Sequence, residues 1–380
     1  MVSWVTPRSQ PAVQFKSRDR GLLLGGAIIF AIALALRLWG LGQIEPPVFD
    51  EVYFPKFAEN YLDGERLFDA HPPLGKYLIA LGILIFGRNP IGFRIATALF
   101  GALIPVLVIG VLYRLTYRRG LALLGGALMV SDGLFLVESR FGLMNVFLVA
   151  FGLLAQIFLL AGLERCGWEK TLLLSCSGAM LGASAAVKWN GLGFALGLGF
   201  LGVLVWAIAL LRPKLLPRLG ILARITHLRW WHYVICFGLI PVAVYIIQWI
   251  PHIWLYPRGV KEMPFGTDAL PVFWNTLRDL HRDLLNNHTN ANVGVGTDEA
   301  VHPYCANWLS WPVLGRPISY HFDSSGDTWS SVLAIGNPIL WWLALSAVVA
   351  LTIAGLFRFR AFAAFVLLGY AANYLPWMKV

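Results

Sequence analysis

The amino-acid sequence predicts an all-α polytopic membrane protein. Hydrophobic residues make up 58% of its 380 residues and charged residues only 13%, whereas a soluble domain carries about 25% charged residues. Apolar runs of about 20 residues, long enough to span a bilayer as a helix, recur along the chain. Basic residues recur between these runs, so the net charge of +10 is typical of cytoplasmic loops and argues against nucleic-acid binding.

The hydropathy pattern predicts nine spans. Their approximate bounds are 21–44, 90–113, 121–137, 144–163, 171–187, 191–211, 233–250, 333–356 and 361–377. Four basic residues precede the first span and place the N-terminus in the cytoplasm. Every later segment that this topology makes cytoplasmic is also basic. The two longest segments between spans, residues 45–89 and 250–331, therefore lie outside.

The first outer segment, residues 45–89, is the most polar and most patterned part of the chain. Asp50 and Glu51 stand at its head, and residues 54–63 show helical spacing of apolar positions. Gly64 is placed to end that helix, and a Pro-Pro pair precedes the next one. A carboxylate at the membrane surface would have a raised pKa and could accept a proton from an alcohol. Two solvated carboxylates at a span end would give the same pattern.

Three cations are predicted to lie on the same membrane face as the acidic pair. Arg94 comes early in the second span, Arg140 follows the third and Lys188 closes the fifth. Each could simply extend to the interface. Together they suit a phosphate-bearing lipid whose bond to a transferred group is cleaved near a carboxylate.

The long outer segment, residues 250–331, is rich in histidine. His281 and His288 are seven residues apart and could share a helix face, which is compatible with a metal site. No carboxylate stands at ligand spacing, so structural histidines are the favoured interpretation. The sequence therefore predicts neither a metal nor a cofactor.

Several blocks of sequence together resemble one known family. They are Phe49-Asp50-Glu51-Val52-Tyr53-Phe54, Phe68-Asp69-Ala70-His71-Pro72-Pro73-Leu74-Gly75-Lys76, Glu138-Ser139-Arg140-Phe141, Val187-Lys188-Trp189-Asn190-Gly191, His302-Pro303-Tyr304, Ser310-Trp311-Pro312, Arg316-Pro317, Ile335-Gly336-Asn337-Pro338 and Asn373-Tyr374-Leu375-Pro376-Trp377. In this order they resemble the protein O-mannosyltransferases. The first two blocks are the most specific, and the likeness extends from residue 49 to 377.

The resemblance implies a GT-C type, inverting glycosyltransferase. Its donor would be a polyprenyl (or dolichyl) phosphate mannose, and its acceptor a Ser or Thr hydroxyl of a protein on the outer side. Asp50 matches the family's essential acidic residue and would act as general base, while Glu51 would orient the base or the acceptor. Arg94, helped by Arg140 and Lys188, would neutralise the lipid phosphate without a metal. Further outer-loop candidates in or near these blocks are His71, His288, His302 and Arg316.

Three departures from the family pattern shape the expectations. Asn145 stands where the family commonly has Asp. The segment 250–331 is too short for the β-trefoil insert of eukaryotic members, so the resemblance implies a bacterial-type enzyme of the cell (inner) membrane. The family continues with further spans beyond Leu-Pro-Trp, whereas this chain stops at Val380. We therefore expect one membrane-embedded domain, residues 1–380, that is truncated or lacks the C-terminal bundle.

Other functions share parts of this pattern. A sister enzyme of the same architecture could move another lipid-linked sugar to lipid A or another glycan. A transporter would place its charges near mid-span, whereas here they gather at the outer interface. A third alternative is an inactive subunit that positions an active relative. Family members often pair, so the resemblance also allows a homo- or hetero-oligomer, surrounded by membrane lipids.

Overall fold

The computed structural model describes residues 19–290, 308–325, 327–357 and 361–379. Within them, eight helical segments are long and apolar enough to cross a membrane. These are Arg20–Leu38, Pro90–Thr116, Asn145–Glu164, Gly167–Val187, Trp189–Leu211, His232–Leu255, Pro338–Gly355 and Ala361–Met378. They correspond to eight of the nine predicted spans, which confirms the predicted all-α multi-span class.

The α-helices and β-strands are numbered here in chain order. The helices are α1 Arg20–Leu38, α2 Phe54–Asp63, α3 Leu74–Phe86, α4 Pro90–Thr116, α5 Arg119–Val130, α6 Gly133–Glu138, α7 Asn145–Glu164, α8 Gly167–Val187, α9 Leu192–Leu211, α10 Ile240–Ile247, α11 Trp249–Leu255, α12 Ala269–Asn290, α13 Pro338–Phe357 and α14 Ala361–Tyr374. The strands are β1 Ile318–Ser325 and β2 Thr328–Ala334. A π-helix, His232–Leu239, leads into α10.

The third predicted span, residues 121–137, differs from the prediction. It is divided between α5 and α6, neither of which is long enough to span. The break occurs at Asp132, whose side chain accepts hydrogen bonds from the Phe135 backbone N–H (3.0 Å) and from Trp341 Nε1 (2.7 Å). A carboxylate that caps a new helix stabilises a break in the apolar run rather than a continuous helix.

Two helices follow the acidic pair, as expected. Gly64 ends α2 in the left-handed conformation, with φ of 70°, which glycine adopts without steric cost. Helix α3 begins directly after Pro73. It crosses α4 closely, because a Cβ built on Gly82 would lie 2.5 Å from the Gly92 carbonyl oxygen.

The main hydrophobic core surrounds α7, which is the most buried of the long helices. Phe147, Met144 and Leu143 of its first turns and approach are almost fully buried and pack with α3 and α4 residues such as Ile79 and Ile104. The beginnings of α4 and α7 and the end of α8 thus reach the same end of the bundle. The candidate site lies there.

The long outer segment contributes a helix and a hairpin. Helix α12 packs on α11 through a cluster that includes Trp249, Ile253 and Leu280. Strands β1 and β2 are antiparallel, and their register is irregular between Ser319 and His321. Such an irregularity re-aims side chains, and the side chain at this point, Tyr320, is 5% exposed.

Candidate active site

The acidic pair occupies a short 3-10 helix, Phe49–Val52, after α1. Phe49 has a φ of 50°, an uncommon value for a bulky residue that is often found at functional sites. Its ring stacks on Tyr320 of β1, with centroids 4.8 Å apart. The two carboxylates of the turn differ in burial. Asp50 is half-buried, whereas Glu51 is only 1% exposed.

Glu51 is fully occupied by hydrogen bonds. Its Oε1 accepts from Arg94 Nε (2.7 Å) and from the Gly142 backbone N–H (2.7 Å). Its Oε2 accepts from Arg94 Nη2 (2.7 Å) and the Val48 backbone N–H (3.2 Å). This is a bidentate, charge-assisted pair in a buried place, where geometry is held tightly.

Arg94 also has little hydrogen-bonding capacity left. Its Nη1 donates to the carbonyl oxygens of Leu41 (3.0 Å) and Ile44 (2.6 Å), just beyond α1. The guanidinium lies 5.0 Å from the Phe141 ring centroid. Arg94 therefore joins α4, the end of α1 and the acidic turn. This geometry favours a positioning role over direct phosphate contact.

Asp50 differs from Glu51 in its hydrogen bonding. Its carboxylate makes no hydrogen bond or ion pair with any described residue, so both oxygens keep their acceptor capacity. Burial raises the pKa of Asp50, the charge of Lys188 opposes that rise, and the charge of Asp69 adds to it. A half-buried carboxylate with a raised pKa is suited to accept a proton.

Lys188 follows α8 and lies beside Asp50. Its Nζ donates to Asn145 Oδ1 (3.3 Å) and stands 5.9 Å from the Phe54 ring centroid. Burial lowers the pKa of Lys188, while the charges of Asp50, Glu138 and Asp69 raise it. No carboxylate among the described residues is within ion-pair distance, so the ammonium retains donors for an anion.

Glu138 connects Lys188 to the hairpin. Asn145 Nδ2 donates to Glu138 Oε2 (3.0 Å), and the Tyr320 hydroxyl donates to Glu138 Oε1. The chain of contacts thus runs from Tyr320 through Glu138 and Asn145 to Lys188. Sequence reasoning gave Glu138 and Tyr320 no role, because 182 residues separate the two partners. The only available signal was the Glu138-Ser139-Arg140 block itself.

A second group of polar residues lies around the His-Pro-Pro block. Lys76 is fully buried and forms an ion pair with Asp69. The Lys76 Nζ also donates to the carbonyl oxygens of His71 (3.0 Å) and Pro72 (2.6 Å).

His71 lies in a buried and positively charged environment. Burial, then the charge of Lys188, lowers the pKa of His71 to about 2. The His71 ring stacks on His288 of α12, with centroids 5.4 Å apart, and His288 Nε2 donates to the Ala70 carbonyl oxygen (2.9 Å).

Arg140 stands on the Glu51 side of the site. It donates to the Trp39 carbonyl oxygen and, with Arg94, lines a cavity of about 130 Å³. Burial, and then the charge of Arg94, lowers its pKa. Arg37, a buried arginine of α1 that was not among the residues predicted from the sequence, donates to Ser139 Oγ (2.8 Å). Arg37 could have been identified as a candidate from the sequence, because it is a charged residue within an apolar span.

The remaining candidates lie elsewhere. Arg316 is exposed just before β1, and His302 lies outside the described residues. His281 Nδ1 donates to the Leu277 carbonyl oxygen (2.7 Å), so its Nε2 accepts from the Tyr245 hydroxyl (2.8 Å). Across the described part of the chain, no group of three His, Cys, Asp or Glu side chains is arranged to hold a metal.

The family is decided by comparison with known proteins. The family model described as dolichyl-phosphate-mannose-protein mannosyltransferase matches residues 27–92 and 84–257. A second model, the C-terminal four-span region of protein O-mannosyltransferase, matches residues 273–380. This chain belongs to the protein mannosyltransferase family. The predicted resemblance is therefore confirmed, and with it the glycosyltransferase class.

Curated relatives that match more than nine-tenths of this protein mannosyltransferase come from bacteria. It is 30% identical to a polyprenol-phosphate-mannose–protein mannosyltransferase of Mycolicibacterium smegmatis, over 92% of this chain and 75% of the relative. It is 29% identical to the protein of the same name in Mycobacterium tuberculosis, over 97% of this chain and 78% of the relative.

Solved structures support the GT-C fold of this mannosyltransferase. The Pmt1-Pmt2 protein O-mannosyltransferase complex of S. cerevisiae, bound to its sugar donor, matches with a TM-score of 0.53 and 23% identity, over 62% of this chain and 34% of that chain. The archaeal oligosaccharyltransferase AglB of Archaeoglobus fulgidus matches with a TM-score of 0.51 and 12% identity, over 93% and 49%. At these identities the likeness concerns the fold.

Proposed function

We propose that this chain transfers mannose from a polyprenyl (or dolichyl) phosphate mannose to Ser or Thr hydroxyls of proteins, with inversion at the sugar. Family membership supports the donor and acceptor classes. The structural observation that carries the proposal concerns Asp50 and Lys188, which lie close together. Among the described residues, the Asp50 carboxylate keeps acceptor capacity and the Lys188 ammonium keeps donors. The basic segments between spans support an outward-facing site with the N-terminus in the cytoplasm. The bacterial relatives support a location in a bacterial cell membrane.

Asp50 is the general base in this proposal. One of its oxygens takes the proton of the acceptor hydroxyl while the hydroxyl oxygen attacks C1 of mannose. The bond between C1 and the phosphate oxygen breaks, and its electron pair leaves with the lipid phosphate. A single displacement of this kind inverts the anomeric configuration, and proton removal of this kind contributes about 10²- to 10⁴-fold to rate.

Lys188 holds the leaving phosphate. Negative charge grows on the phosphate oxygen as the sugar departs, and a fixed ammonium in a water-poor place stabilises that charge. The side chains of Asn145 and Glu138 keep Lys188 in place. Arg140 contributes a further positive charge on the Glu51 side, where it lines the same cavity as Arg94.

Glu51 and Arg94 act as positioning residues in this proposal. Their hydrogen bonds are satisfied within the protein, so they hold the turn that presents Asp50. His71 and His288 close the other side of the site, where the pKa of His71 keeps its ring neutral at physiological pH. A homo- or hetero-oligomer stays a prediction.

The test is sugar transfer in membranes from radiolabelled polyprenyl-phosphate mannose to a Ser/Thr-rich peptide. Wild type should label the peptide, and Asp50→Asn should lower transfer by about 10²- to 10⁴-fold. The matched control is Asp63→Asn, which removes an exposed carboxylate paired with Arg88 and should leave transfer intact. Near-full turnover by Asp50→Asn would remove Asp50 as the base. Transfer from another lipid-linked sugar, with none from mannose, would instead overturn the donor assignment.

A further inference from the structure

A basic cavity lies at the end of α8 that is remote from Asp50. Its volume is about 320 Å³. Its lining comes from the start of α8 and from the segment that leads into the π-helix, and it includes Cys166, Lys170, His227, Arg229, Trp231 and His232. The lining contains a lysine, an arginine and two histidines but no carboxylate. This composition is that of an anion site.

One wall of this cavity is held in place by its own contacts. His232 is 5% exposed, and its Nδ1 accepts the Arg229 backbone N–H (3.0 Å). A neutral imidazole that accepts at Nδ1 carries its proton on Nε2, which is then a donor. The ring stacks on Trp231 with centroids 3.8 Å apart. The His232 donor is therefore held in place by the protein's own contacts.

The start of α8 adds to the positive potential. No side chain caps this helix, whose N-cap residue is Cys166, so the first-turn N–H groups and the positive end of the helix dipole face the cavity region. Glu169, the acidic residue of that turn, pairs with Arg165 at 3.3 Å and does not line the cavity.

Position at the membrane surface indicates the source of the anion. Helix α8 has 21 residues, which corresponds to about 30 Å, so the cavity lies at the membrane face opposite the Asp50 site. Trp168 and Trp230, next to lining residues, are 73% and 75% exposed. Exposed tryptophans at helix ends are typical of the headgroup level of a bilayer.

We propose that this cavity binds a phosphate group, supplied by the headgroup of an anionic phospholipid in the leaflet opposite the transfer site. Lys170 and Arg229 pair with the phosphate oxygens, and His232 donates a hydrogen bond. A free phosphate ester shares this chemistry and is the second source that the test separates. The site is independent of the transfer reaction.

Cys166 gives a direct reporter, because it is an exposed thiol in the lining. The full chain, carrying Cys305→Ser to remove one other thiol, is purified in detergent, and the rate of maleimide labelling at Cys166 is measured. Phosphatidylglycerol should slow labelling, and phosphatidylcholine should not. Equal protection by glycerol 3-phosphate would assign the same site to free phosphate esters. Absence of protection by both would overturn the proposal.

Charge variants separate this site from general surface attraction. Lys170→Gln/Arg229→Gln should raise the half-protecting concentration of phosphatidylglycerol about tenfold or more, since two charge-assisted bonds are lost. Arg118→Gln/Arg212→Gln removes the same charge from exposed positions outside the cavity and should keep protection. Equal loss in both pairs would overturn the proposal. Thermal unfolding checks both proteins, and Arg229→Gln alone replaces the double variant if its transition is lost.

Discussion

The two sides of the acidic pair differ in how completely their polar groups are bonded. On the Glu51 side, the carboxylate and Arg94 have partners for almost every donor and acceptor and are about 1% exposed. On the Asp50 side, the carboxylate has no partner among the described residues, and Lys188 keeps unused donors. Adjacent residues of one short turn thus belong to two different environments.

This difference supports the proposed division between residues that hold the site and residues that react. A saturated buried pair cannot bind a substrate without breaking its own bonds, and breaking such a pair is costly. A carboxylate and an ammonium with spare capacity can exchange a proton and hold an anion. The contrast separates structural effects of substitution from chemical ones.

The largest effect on stability is expected for Arg94→Leu. It leaves Glu51 charged, buried and without its main partner, which lowers the free energy of unfolding by about 3–5 kcal/mol. Thermal unfolding in detergent measures this, and donor and acceptor constants should deteriorate together. Arg88→Leu is the control, because the Arg88–Asp63 pair is exposed and such pairs contribute little. A normal unfolding midpoint with a change only in the donor constant would restore a direct phosphate role for Arg94.

Lys188→Gln tests whether the Asp50 side of the site binds the donor phosphate. Loss of the ammonium should raise the donor constant about tenfold or more, since a charge-assisted contact to phosphate is lost, while the unfolding midpoint changes less than in Arg94→Leu. Lys188→Arg keeps the charge and should recover part of the affinity. An effect confined to the acceptor peptide would count against phosphate binding by Lys188.

The pH dependence of transfer should follow Asp50. Its raised pKa means that the base becomes protonated, and kcat/KM falls, at a pH above the ordinary range for an aspartate. The positive charge of Lys188 opposes this rise, so the residual activity of Lys188→Gln should fall at a still higher pH. A profile of kcat/KM against pH measures the shift. Movement of the acidic limb to lower pH would contradict the assignment.

The smallest effect is expected for Tyr320→Phe. It removes the hydroxyl that donates to Glu138 and keeps the ring that stacks on Phe49. The loss of one such bond corresponds to about 0.5–1.5 kcal/mol, up to roughly tenfold in transfer. Tyr370→Phe is a matched control at a site 38% exposed. Equal transfer rates in the two variants would show that the hydrogen bond from Tyr320 to Glu138 does not contribute to the reaction.

Local pattern predicted eight of the nine spans and the two helices that follow the acidic pair, because hydropathy, Gly64 and Pro73 act over a few residues. It could not predict the break at Asp132, since the partner Trp341 is 209 residues away in sequence. Local pattern also could not divide the roles of Asp50 and Glu51, and only the family resemblance suggested a division. Two neighbouring carboxylates look alike until the fold brings Arg94 to one of them.

The same limit applies to the cations. The sequence grouped Arg94, Arg140 and Lys188 by membrane face, which requires only a count of spans. Which of them has donors left for a ligand depends on carbonyl oxygens at the end of α1 and on Asn145. The packing of the helices determines those partners, and the hydrophobic periodicity of the sequence does not predict them.

The stacking of Phe49 on Tyr320 also has a consequence for biosynthesis. The acidic turn enters the membrane surface among the first parts of the chain, whereas Tyr320 is made much later. At typical synthesis rates the interval is roughly 14 to 54 seconds. During that time Phe49 lacks the ring that supports its unusual backbone conformation. In the newly made protein, the turn that carries Asp50 therefore gains this aromatic support only after Tyr320 has been synthesised.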